Sequence, residues 1–207
     1  MKDTYNTIEF PVEGILHKDK NSKFFGYAFP LQAEDQLKPI LDNLRKQHPH
    51  AGHFCYAYQI GTDAITFRAN DDGEPSNSAG MPIYGQIQSF AITNVLLVVV
   101  RVFGGVKLGV GGLITAYKTT AQLALTACEI VEKTIDVHFI ISFDYKNMNK
   151  VMRVIKEKKL EIVSQEMEIN EISTLPMGII EIKTRKKNAE VVFDIFQTFF
   201  EIDIKRV

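Results

Sequence analysis

Apolar and polar positions alternate at the start of the chain, with Ile8, Phe10 and Val12 in one series and Phe25, Tyr27 and Phe29 in another. A period of two puts each series on one face of an extended strand, so residues 5–30 predict two strands, with a polar turn at Lys18–Asn21. The period then lengthens. Leu37, Ile40, Leu41 and Leu44 fall at helical spacing, Glu34 and Asp35 suit the positive end of a helix dipole, and His48-Pro49 stops the run. A helix over 33–47 follows from that pattern.

Residues 53–60 alternate again as a strand, and 64–68 supply its hairpin partner. Asn70–Gly80 is a polar loop rich in Asp, Gly, Ser and Pro, followed by a short helix over 81–89. Thr93–Phe103 is a continuous β-branched run, suited to a central strand covered on both faces. The next nine positions, Gly104–Gly112, hold five glycines. A helix is predicted over 113–133, with Leu113, Ala116, Tyr117, Leu123 and Leu125 as its apolar positions.

Beyond Thr134 the pattern becomes strand (137–143), helix (147–158), strand (161–168), strand (178–184), helix (189–199) and strand (202–206). That βαββαβ order is the ferredoxin-like arrangement. The chain therefore reads as an α+β protein of two domains, 1–134 and 135–207.

Composition adds limits. The chain has 207 residues, a net charge of -1 and 45% hydrophobic residues, which suits a globular protein with no global pull toward nucleic acid or anionic membrane. Residues 1–134 carry 12 basic and 13 acidic side chains and residues 135–207 carry 12 of each, so any nucleic-acid contact needs a local patch. Lys183, Arg185, Lys186 and Lys187 form one modest candidate, which a solvated surface also explains. The polar N-terminus resembles no signal peptide, the longest apolar run (Val95–Val100) is too short for a bilayer, and two cysteines make no disulfide framework. A cytoplasmic protein with reduced Cys55 and Cys128 and no membrane association is expected.

Two segments carry candidate chemistry. In Gly104–Gly112 the glycines permit positive φ, expected at two or more of Gly104, Gly105, Gly109, Gly111 and Gly112, and free amides at a helix start attract anions. A P-loop would place Lys and Ser/Thr directly after its second glycine, where Val110-Gly111 follow Gly109. A dinucleotide fingerprint from Gly109 would need glycine at position 114, which is Ile114. The segment reads either as an anion site or as a tight strand-to-helix connection. Asp71, Asp72 and Glu74 cluster in the polar loop, either to hold Mg²⁺ with a substrate phosphate or to cap their own backbone and pair with Arg101. His48, His50, His53 and Cys55 fit no zinc spacing, so no metal is expected. His53 and Cys55 share a strand face, as a base and nucleophile would, and as packing partners do.

Ser22–Phe25, His53–Tyr58, Asp71–Pro75, Ala79-Gly80 with Pro82, and Val98–Leu113 with Ala116-Tyr117 together resemble the IMPACT/YigZ family over most of residues 15–125. The resemblance implies an N-terminal sheet-and-helix domain of the kind shared with a module of elongation factor G, some ribosomal proteins and GHMP kinases. It also implies a ferredoxin-like C-terminal domain. Eukaryotic members are linked to translational control through a stress-kinase activator. Members usually carry a cation where this chain has Met81, often one at Thr115, and commonly an aromatic at Val102. Losing those cations counts against anion binding beside the glycines.

The expected function is a translation-associated regulatory or accessory protein that contacts RNA, the ribosome or a ribosome-associated protein, with no cofactor. The expected binding groove comprises His53, Cys55, Asp72, Glu74, Arg101, Gly104, Gly105, Lys107, Gly109, Gly111 and Gly112. The alternative is an enzyme acting on a phosphorylated or nucleotide-like substrate: the glycines cradle phosphate, Asp72 and Glu74 hold a metal or act as base, and Lys107 and Arg101 neutralise charge. A Cys55/His53 hydrolase is a third reading.

Overall fold

The apolar run that reads as a central strand does occupy the middle of a sheet. The computed structural model describes residues 3–169 and 176–207. Its first unit, Tyr5–Lys133, is built from β1 (Thr4–Ile8), β2 (Val12–Asp19), β3 (Ser22–Pro30), α1 (Leu37–Gln47), β4 (His53–Ile60), β5 (Thr66–Asn70), α2 (Gly80–Ser89), β6 (Val95–Val102), α3 (Gly109–Thr126) and β7 (Ile130–Thr134). Five strands pair antiparallel in the order β2-β3-β6-β4-β5.

Because side chains alternate across β6, its apolar residues serve two cores. Val95, Leu97 and Val99 pack under α2 and α3 with Phe24, Ile83, Ile87 and Tyr117. Leu96, Val98 and Val100 pack on the opposite face with Leu41 and Leu44 of α1 and with Tyr56 and Tyr58 of β4. All six β6 residues are fully buried, each contributing roughly 1.5–3 kcal/mol through removal from water. A turn with Lys20 (φ 42°) and Asn21 (φ 66°) in the left-handed region joins β2 to β3, which matches the right-handed twist of a two-residue hairpin.

Two expectations need correction. Residues 5–30 form three strands rather than two. Pro11 cannot donate to a ladder, Phe10 is exposed while Ile8 is buried, and β1 leaves the main sheet to pair with β7. The predicted helix 113–133 is displaced as well: α3 begins at Gly109 and ends at Thr126. Ile130–Thr134 is β-branched with a period of two, and finds a strand partner in β1 instead of extending the helix.

The second unit comprises Thr134–Val207 together with Asp3 and Thr4. Asp3 is tied there by its carbonyl, which accepts from Ile135 N at 2.8 Å, and by its carboxylate, 2.9 Å from Arg185. The elements are β8 (Asp136–Asp144), α4 (Met148–Lys158), β9 (Glu161–Ile169), β10 (Pro176–Arg185), α5 (Ala189–Gln197) and β11 (Ile202–Arg206). The strand order β11-β8-β10-β9, all antiparallel, is that of the ferredoxin-like βαββαβ arrangement. Alternate residues of β8 (Val137, Phe139, Ile141, Phe143) are buried with Val151, Ile155, Val192 and Phe196 of the two helices. Lys159 in the left-handed region (φ 52°) closes α4. No helix among the described residues is long and apolar enough to cross a membrane.

The core of the second unit shares no residue with the two cores of the first. Phe139→Ala is expected to destabilise 134–207 by about 3–5 kcal/mol and to leave 5–133 in place. Hydrogen exchange read by mass spectrometry on the two segments checks this; equal loss of protection in both would reveal one cooperative unit.

Candidate functional site

Arg101 belongs to the odd-numbered series of β6, so its side chain enters the same layer as Leu97 and Val99 rather than solvent, and only 5% of the residue is exposed. Such a charge must be paired. Glu74, in the loop between β5 and α2, supplies the pair: Arg101 Nη1 donates to its Oε1 at 2.6 Å. Tyr117 of α3 donates its hydroxyl to the same oxygen at 2.7 Å, and His53 Nε2 stands 3.9 Å away. Aromatic rings complete the enclosure. The guanidinium lies 5.5 Å from the ring centroids of both Phe24 and Phe103, close enough for cation–π attraction. Phe24 in turn meets Tyr117 edge-on at 5.3 Å. Arg101 Nε is buried with no hydrogen-bond acceptor among the described residues.

The acidic loop folds onto itself and onto β4. Asp71 Oδ1 accepts from Ala79 N at 3.0 Å and Gly80 N at 2.8 Å, and its Oδ2 accepts from Asn77 N at 2.9 Å. It therefore caps the start of α2 from a distance, where a carboxylate also meets the helix dipole favourably. Asp72 Oδ2 accepts from Phe54 N at 2.6 Å, and the Asp72 carbonyl faces His53 Nδ1 at 2.8 Å. Left-handed Asp72 (φ 41°) and Gly73 (φ 86°) make the bend that this requires. Each carboxylate thus has a partner within the protein. Among the described residues no group of three or more His, Cys, Asp or Glu side chains is placed to hold a metal ion.

Cys55 lies beneath this loop, fully buried, and donates to the Asp71 carbonyl at 3.0 Å. Burial pushes its thiol far above the ordinary range; a hydrogen bond with Tyr117 works against that shift, and the nearby Glu74, Asp72 and Asp71 charges add to it. The reactive form of cysteine is the thiolate, so this environment withholds the species that a hydrolase would need. Burial likewise raises Tyr117, which stays a hydroxyl donor.

The glycine segment divides by position. Gly104 lies against the β2–β3 turn, where an added Cβ would come within 2.0 Å of the Asn21 carbonyl carbon; its amide donates to Ser22 Oγ at 3.2 Å. Gly105 (φ 87°) and Gly109 (φ 77°) adopt positive φ. Gly109, Gly111 and Gly112 lie in the first turn of α3 rather than in a loop before it. Phe103, Val106, Val110 and Ile114 are exposed around them, as is Lys107.

Of the residues expected in a groove, His53, Cys55, Asp72, Glu74 and Arg101 come together, but Cys55, Glu74 and Arg101 are sealed inside. Gly105, Lys107, Gly109 and Gly111 face outward on the neighbouring segment. Phe24, Phe103 and Tyr117 escape a sequence reading as parts of this cluster. Phe24 precedes the alternating Phe25-Tyr27-Phe29 series, and Tyr117 reads simply as a helix core position.

The chain is similar to known proteins. The family model described as the Impact N-terminal domain matches residues 20–125. A protein of Haemophilus influenzae described as an IMPACT family member is 32% identical over 153 residues, covering 73% of this chain and 74% of that protein. The IMPACT family member YvyE of Bacillus subtilis is 34% identical over 159 residues, or 77% of this chain and 73% of its own. A crystal structure described as that of a hypothetical protein matches with a TM-score of 0.73 at 21% identity, spanning 99% of this chain and 97% of that one, and so shares the fold.

Removing one partner of the buried ion pair should be costly. Glu74→Gln is expected to destabilise the first unit by about 3–5 kcal/mol, because the Arg101 charge stays buried without its counter-charge. Adding Arg101→Met should recover a large part of that loss, as urea unfolding of the double-mutant cycle will measure; additive losses would contradict the coupling. Alkylation by iodoacetamide provides a second check. Cys55 should resist the reagent until the protein unfolds, whereas half-buried Cys128, raised to about 11 by burial, should react slowly in the native state.

Proposed function

The chain belongs to the IMPACT family, and on that premise we propose that it is a translation-associated accessory factor that acts by contact, without catalysis. The family's eukaryotic members are linked to translational control, and both proposed compartment (the cytoplasm) and proposed partner class follow from that link. Internal use of the Asp71, Asp72 and Glu74 carboxylates supports the non-catalytic half of the proposal. The enzymatic alternative would need those groups free for a metal or a proton.

One observation carries the choice of RNA as partner. Lys158 and Lys159 at the end of α4 come beside Lys183 and Arg185 at the end of β10, and all four line one hollow of about 430 Å³ that also holds Asp136 and Glu161, so the cations outnumber the carboxylates there. Glu161 offsets Lys183 at 2.8 Å and Asp3 offsets Arg185 at 2.9 Å. Lys158 and Lys159 have no carboxylate within ion-pair distance among the described residues and are exposed. Exposed Lys156 and Lys187 extend the same end of the unit. A cluster of this kind is the electrostatic footprint of phosphate-backbone contact.

Single-stranded RNA titrated at several salt concentrations tests the proposal. Affinity should fall with salt as counterions are released, and Lys158→Glu with Lys159→Glu should weaken binding at least roughly tenfold and lower the salt slope by about one to two. Unchanged binding by that variant would move the interface elsewhere. Absence of RNA binding together with intact ribosome cosedimentation would make the partner a protein.

A further inference from the structure

We propose that the outer edge of β9 accepts an extended, basic segment of a partner protein as an added strand. Among the described residues β9 ends its sheet, paired with β10 on one side only, and all nine of its residues are exposed. A free edge presents a row of backbone donors and acceptors, and proteins ordinarily blunt such edges with proline, charged side chains, bulges, brevity or a covering element. Glu161–Ile169 contains no proline and no lysine; its blunting devices are three glutamates, which repel like-charged strands but attract basic ones, and one bulge at its start. The bulge at its start, where Ser164 faces Glu181 and Ile162 faces Ile182, leaves Ser164–Ile169 in regular register. That length suits one added strand.

The side chains specify what would bind. On one face Glu166 stands opposite Ile179 and Glu168 opposite Met177, so among the described residues neither carboxylate has a cation as its cross-strand partner. The nearby charges are already engaged: Glu161 with Lys183 at 2.8 Å and Glu181 with His138 at 2.8 Å. On the other face Met167 and Ile169 remain 56% and 73% exposed. An incoming strand that alternates Lys or Arg with apolar residues meets both faces at once, since cross-strand pairs of opposite charge stabilise and like charges repel. A second β9 is disfavoured by the same rule, because it would bring further glutamates and no cation. The opposite edge, β11, is unlike it: Ile202 and Ile204 are buried, and Lys205 and Arg206 are paired with Asp203 and Glu190. Recognition by strand addition takes its affinity from the backbone and its selectivity from alternate side chains. The Ser164–Ile169 edge is independent of the lysine cluster at the end of α4.

The test uses the full chain and a capped octapeptide alternating lysine and valine. Binding should slow amide exchange across Ser164–Ile169. Glu166→Lys with Glu168→Lys, both at exposed positions, should weaken that peptide by at least roughly tenfold and let the protein take up the glutamate–valine counterpart. A lysine–valine peptide interrupted by a central proline should bind poorly, since it cannot extend a ladder. Equal binding of the interrupted peptide, protection that appears elsewhere, or no binding at all would overturn the proposal. Concentration-dependent dimerisation through β9 would overturn it in favour of a second copy.

Discussion

A guanidinium taken out of water dictates the arrangement around it. Arg101 enters the layer beneath α2 and α3 because the alternation of β6 leaves it no other face, and its charge is tolerable there only if a carboxylate comes to meet it. Glu74 must therefore be held in place, which fixes the path of the loop from Asn70 to Gly80. Asp71 and Asp72 secure that path by taking backbone amides of α2 and β4. Tyr117 then locks α3 onto the same oxygen. A sheet end, a loop and a helix are joined by one carboxylate, so disturbance of any of them is felt by the others. Such a pair contributes little net stability; what it supplies is one defined arrangement of the surface above it.

That surface is mixed in character. The glycines at the start of α3 bring the backbone close to solvent, but their neighbours Phe103, Val106, Val110 and Ile114 are apolar, with Lys107 beside them. An anion cradle would be expected to carry more positive charge. The lysines that do gather lie at one end of the ferredoxin-like unit, and the unanswered glutamates lie on its free edge strand. Charge within that unit is therefore sorted by place although its sum is near neutral, which net charge alone conceals.

Much of the fold is legible in the sequence because it is local. The period of two in β3, β4 and β8 and the period of 3.6 in α1 and α4 each follow from which side chains must be buried, and those periods survive in any tertiary setting. The failures are non-local. Nothing in Ile130–Thr134 announces that its partner is Thr4–Ile8, and nothing near Ser22 announces that Gly104 will press against the preceding residue. The start of α3 is misplaced for another reason: glycine costs about 1 kcal/mol in a helix interior, yet burial of Leu108, Leu113 and Ala116 carries the helix back to Gly109. For the candidate site, the residue types are legible and their pairing is not. Three carboxylates in four positions could each reach Arg101, and the path of the loop selects Glu74. Lys158 and Lys159 do not stand out along the chain, because only the packing of α4 against the sheet sets them beside Lys183.

The pairing of β1 with β7 has a consequence for how the protein is made. β1 leaves the ribosome ahead of the five strands of the main sheet, yet its ladder partner exists only after Thr134 has been synthesised, and Asp3 waits further, for Ile135 and Arg185. Loop-closure entropy grows slowly with length, so the delay is set by translation rather than by search. In the interval β1 is held by Ile8, buried in the core with Phe24, Ile87 and Val95, and by its backbone and hydroxyl contacts with Ile92, Thr93 and Asn94. The main sheet, Ile8 included, can therefore assemble first, and the ladder from β1 to β7 closes later.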